Sequence, residues 1–174
     1  MAETIQPEPW LRGTLNDVPA VGRAVLHALQ LAEEDLVKWC SALTEEQLNS
    51  RPGGLAPVAF QIRHISQSID RLLTYAEGRQ LIEAQLTALK AETEPRLKPH
   101  EMFAELRAAF DQATRRIRAL AVSDLESARS VGRKELPTTL GGLLVHVAEH
   151  TQRHVGQAIT TAKLVRGLKT GPAV

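Results

Sequence analysis

Three of the six histidines fall in one short run, His146-Val147-Ala148-Glu149-His150-Thr151-Gln152-Arg153-His154. Residues four apart on a helix share a face, about 40° apart around the axis. A histidine pair at that spacing can therefore chelate a metal ion without bending the helix, as it does in zinc enzymes with His-Glu-x-x-His. Imidazole suits Zn, Ni, Cu and Fe, and neutral rings leave the ion its full charge. The helix that must carry these residues has an apolar stripe of Leu140, Leu144, Val147, Ala158, Ala162 and Val165. Relative to its centre, His154 lies at roughly 55°, His150 at about 95° and His146 at about 135°. His150 and His154 are thus the better chelating pair, and His146 belongs at the rim or in solvent. Glu149, next to a ligand in sequence, is about 100° away on the wheel and offers no general base.

Two ligands on one helix make a weak site, so another helix must supply a third. His64 comes first, beside an apolar face and flanked by Gln61 and Ser68. His27, among apolar positions, and His100, in a polar helix opening, are alternatives that spacing does not separate.

The elements around these residues read as helices. Apolar residues recur at helical spacing over Val18–Leu43, Ala56–Ala76, Pro99–Val122 and from Thr138 to about Gly167. Shorter helical pieces fall in the connections. Thr44-Glu45-Glu46-Gln47 has the form of a capping box, and Leu81–Leu89 is a second short piece. Ser123 and Glu126 resemble a further capping box at a small turn, and Gly132–Pro137 reads as a connector. No strand and no internal repeat is evident. Four long helices predict an all-α four-helix bundle over residues 16–168, with a loosely held arm at 1–15 and a tail at 169–174.

Composition narrows the function. The 174 residues suit one domain, and 43% are hydrophobic, enough for an ordinary core. The 21 basic and 20 acidic residues give a net charge of +1, and aromatics are 3% of the chain. Neither attraction to nucleic acid nor base stacking is favoured. No window approaches a membrane span, and no signal peptide precedes Trp10, so a cytoplasmic protein is expected. Cys40 is the single cysteine. It forms no intrachain disulfide or thiolate cluster and reads as a core residue.

Two segments resemble the DinB-like/YfiT-like superfamily of metal-binding four-helix bundles. Phe60-Gln61-Ile62-Arg63-His64-Ile65-Ser66-Gln67-Ser68-Ile69-Asp70-Arg71-Leu72 is similar to the family's second-helix histidine segment. His146 to Gln157 is similar to its fourth-helix His-x-x-x-His ending in Gly-Gln. By this resemblance His64, His150 and His154 match the family's three metal ligands. The resemblance implies one divalent transition metal, zinc or nickel, with a coordination position left open. An ion with an open position could activate a low-molecular-weight thiol, as in a transferase, or water, as in a hydrolase, acting on a small-molecule substrate, and the resemblance gives the thiol slightly more weight. Gln61, Arg153 and Gln157 are candidates to orient substrate or bound water. The competing expectation is a non-catalytic bundle that binds metal or dimerises, a two-fold homodimer being the commonest assembly.

Overall fold

The computed structural model describes residues 6–93 and 98–167. Pro19, in an extended conformation, starts α1 (Ala20–Cys40). Thr44 and Gln47 then cap one another reciprocally and open α2 (Glu45–Asn49), as their spacing predicts. A 3-10 turn at Pro52–Gly54 leads to α3 (Val58–Ala76), followed by α4 (Glu83–Lys90) and α5 (Pro99–Leu120). Two short strands, β1 (Ala128–Val131) and β2 (Leu136–Thr139), precede α6 (Leu140–Gly167).

The four long helices form the bundle. α6 packs along both α1 and α3, while α5 closes the other side against the same two helices. Every residue of the stripe expected on α6 is buried, and it meets Ile62, Ile65, Ile69 and Leu73 of α3 and Leu36 of α1 in one continuous core. On α5, Met102 takes the buried position at the helix start, and Phe103 beside it is only partly covered.

Three expectations change. The connector at 132–137 is a hairpin, pairing Ala128 with Thr139 and Val131 with Leu136. Its reversal uses left-handed backbone at Gly132 (φ 73°) and Glu135 (φ 48°). Four-residue strands containing Pro137 carry too little alternation to register as strands. The hairpin is tied to the end of α3 by Arg129, whose Nε donates to the Ala76 carbonyl at 2.7 Å. At 123–127 the cap comes from Asp124, whose Oδ1 accepts from the Glu126 amide at 3.0 Å, rather than from Ser123. The third change concerns the arm. Within its described part, Arg12 forms a two-pronged pair with Glu34 at 2.6 and 2.7 Å, and Thr14 Oγ1 meets His27 Nε2 at 3.1 Å. The segment is therefore fastened to α1. Residues 1–5 and the tail at 169–174 lie outside the described residues.

Among the described residues no helix is long and apolar enough to cross a membrane. Cys40 lies fully buried, and burial pushes its thiol up to about 11, with nearby Arg166 opposing. Thiolate is thus scarce near neutral pH. Alkylation with iodoacetamide at pH 8 is expected to leave the folded protein unmodified over hours and to go to completion in denaturant. Mass spectrometry reads both states, and rapid labelling of the folded chain would contradict this placement.

Candidate metal centre

The site lies where α3 and α6 pack side by side. His64 projects from α3, and His150 and His154 project from successive turns of α6. One ring nitrogen from each falls within 4.8 Å of the other two. His64 Nε2 and His150 Nε2 are 3.0 Å apart, and the His154 ring stands edge-on to both. All three rings are half-buried.

Hydrogen bonds on the far side of two rings decide which nitrogen each presents. His64 Nδ1 lies 2.7 Å from Glu92 Oε2, an acceptor, so this nitrogen carries the proton and Nε2 is left with its lone pair. His154 Nδ1 lies 2.7 Å from Gln61 Oε1, which imposes the same tautomer there. Gln61 is itself buried. Gln61, a candidate to orient substrate or bound water, thus holds a histidine in place. Phe60 stacks on His64, with ring centroids 5.5 Å apart.

Electrostatics disfavour protonation of the two rings on α6. Burial, reinforced by the neighbouring His154 and His64, pushes His150 down to about 4. His154 is lowered too, by burial first and then by His64 and Arg153. Neutral imidazoles are what a cation needs, because protonation and coordination compete for one lone pair. Tetrahedral coordination by imidazole at about 2.0–2.1 Å would place ligand nitrogens about 3.3 Å apart. The present spacing needs only small side-chain adjustments to reach this, so the donor set fits one divalent ion.

The other histidines stand apart. His27 is buried against Thr14, and His100 is exposed in the first turn of α5 beside Val37 and Phe103. His146 is 43% exposed at the rim, 3.3 Å from Glu149. Glu149 is engaged by Arg153 as well and faces solvent. Arg153 and Gln157 line a cavity of about 590 Å³ together with Leu55, Phe60, Gln61 and Gly156. Phe60 and Gln61 are shared between this cavity and the histidine cluster, so the two adjoin.

Sequence reasoning missed Glu92. It lies in the turn after α4, 28 residues beyond His64, and is nearly inaccessible. Burial acts to raise its carboxyl, but hydrogen bonds and charge from His64 and Arg71 outweigh that and hold it below the ordinary carboxylate range. The signal available was on α3. Arg63, Gln67 and Arg71, at i, i+4 and i+8, place two cationic groups on the edge of an apolar face, and a buried arginine requires an acid.

A four-helix bundle whose facing helices bring three histidines together is thus the class defined by fold and site. Residues 28–158 match the family model of the DinB superfamily, and the chain belongs to that superfamily. The fold is also that of YfiT from Bacillus subtilis, described as "a probable metal-dependent hydrolase with an unusual four-helix bundle topology". The match has a TM-score of 0.61 at 20% identity and covers 84% of this chain and 87% of that one. No curated protein matches the chain significantly.

Proposed function

We propose that His64, His150 and His154 hold one divalent transition-metal ion, zinc or nickel, and that the protein is a metal-dependent hydrolase of a small-molecule substrate. The observation that carries this reading is the convergence of three ring nitrogens within 4.8 Å, two of them with a tautomer fixed toward the common centre. Three protein ligands leave a position for water or substrate, the pattern of catalytic rather than structural sites. When bound, such an ion supplies Lewis acidity and lowers the pKa of a coordinated group. The protein's own contribution is to fix the rings, disfavour protonation of His150 and His154, and offer an adjoining cavity for the substrate body. YfiT, which has a similar fold, is described as "a probable metal-dependent hydrolase", and this supports the choice of hydrolysis.

The test combines metal analysis with a substrate panel. Purified protein, reconstituted with zinc or nickel, is assayed on esters, amides and phosphoesters, with and without chelator. Hydrolysis abolished by chelator and restored by metal is the expected result. Activity indifferent to chelator would overturn it. Turnover that requires an added low-molecular-weight thiol would reassign the protein as a transferase, and metal binding without any turnover would leave a non-catalytic bundle.

A further inference from the structure

Glu92 is contributed by the connection between α4 and α5, not by a bundle helix, and yet it reaches the histidine cluster. The contacts that bring it there all start on one stripe of α3. Arg71 donates to Glu92 Oε1 at 2.6 Å, and Arg63 donates to the Glu92 main-chain carbonyl at 3.0 Å. Gln67, with its amide nitrogen turned toward them, donates to Ala88 O and Glu92 Oε1, both at 3.1 Å. One carboxylate oxygen is thereby occupied by α3, and the other is left to receive His64 Nδ1 at 2.7 Å. A buried ion pair is weak evidence for stability, since apolar groups of similar size often replace it without loss. What an apolar pair could not do is accept the imidazole proton.

From this geometry we propose that Glu92 is a positioning residue for the metal centre. It fixes His64 as the Nδ1–H tautomer and aims Nε2 at His150 and His154. The proposal rests on the three-histidine reading of the site. An isolated neutral imidazole favours the proton on Nε2, which in His64 would block the ligand position. The carboxylate reverses that preference and makes the ring a stronger donor, as carboxylate partners of metal-bound histidines do. Among the described residues the side-chain partner of Arg71 is Glu92, whose charge and orientation it holds.

Two double variants separate this role from a structural one. Arg71→Met/Glu92→Met replaces the pair with apolar side chains of similar length and leaves no unpaired buried charge. Arg71→Met/Glu92→Gln keeps a neutral acceptor for Nδ1. Zn²⁺ and Ni²⁺ affinities are measured by competition with a chromogenic chelator. The His64 tautomer is read from ¹⁵N shifts of the metal-free protein at pH 8. The Met/Met variant is expected to bind both ions about 10- to 100-fold more weakly and to move the His64 proton to Nε2. The Gln variant is expected to keep the Nδ1–H tautomer and recover most of the affinity. Wild-type affinity and tautomer in Met/Met, whatever its stability, would overturn the proposal. If Met/Met does not fold, an Nε2–H tautomer in the wild type itself would overturn it. Because the tautomer is read without metal, it decides the role of Glu92 separately from metal uptake. A wild-type chain that took up neither ion would refute the metal reading alone.

Discussion

A His64→Ala/His154→Ala variant is expected to lose transition-metal binding altogether, where the wild type takes up about one ion per chain. Of the cluster only His150 remains; with His146, its ring 5.4 Å away, it makes at most a weak two-ligand pair on one helix with no ligand across the α3–α6 interface. Stability provides a second readout. An ion present at 100 times its dissociation constant stabilises the folded chain by about 2.7 kcal/mol, or roughly 5–10 °C in melting temperature for a chain of this size. Wild-type protein is expected to show this increment on adding zinc or nickel, and the double variant none. The increment, rather than the absolute melting temperature, is the quantity to compare, because removing His64 also strips Glu92 of a partner. Retention of one ion per chain by the variant would show that other residues hold it.

Gly22→Ala is expected to destabilise the bundle by about 1–3 kcal/mol, although alanine is the better helix former. Gly22 is buried within α1, where the helix comes against the end of α5. A Cβ added there would lie 2.4 Å from the Ala121 Cβ and 3.2 Å from Val18 Cγ1. The methyl of Ala121 fills the space that the glycine leaves. Introducing Ala121→Gly into the Gly22→Ala chain should therefore restore most of the lost stability, a positive coupling that urea unfolding of the four chains would measure. Additive effects would mean that the two backbones are not in close contact. Gly22 is thus the residue that lets two bundle helices approach.

How far the site could be read in advance depended on where each residue's position was determined. α6 is long, and its apolar stripe sets a helical phase that distinguishes His150 and His154 from His146 without reference to any other element. α3 offered less. His64 lies at the edge of its apolar face among polar residues, so its selection over His27 and His100 rested on family resemblance. The structure distinguishes them by contact, with His27 against Thr14 and His100 in solvent. Glu92 was not legible, because its position depends on how a turn folds back onto Arg63, Gln67 and Arg71 across 21 to 29 residues of chain. The same holds for the N-terminal segment. Its prolines and polar residues suggest a loose arm, and an ion pair spanning 22 residues secures it. Periodicity reports what a helix does with its own face, whereas these contacts are made between faces.

The 3.0 Å approach of His64 to His150 joins positions 86 residues apart. An ion bridging them would close the intervening chain into a ring that contains α4, α5 and the hairpin. Unlike a disulfide, such a bridge does not survive in the unfolded chain, so it holds the bundle through the free energy of ion binding to the folded state rather than through the entropy of a closed ring. Separation of α3 from α6 would then require the bridge to open. Release of the ion and global unfolding would become a single event, and the metal would set the order in which the bundle can come apart.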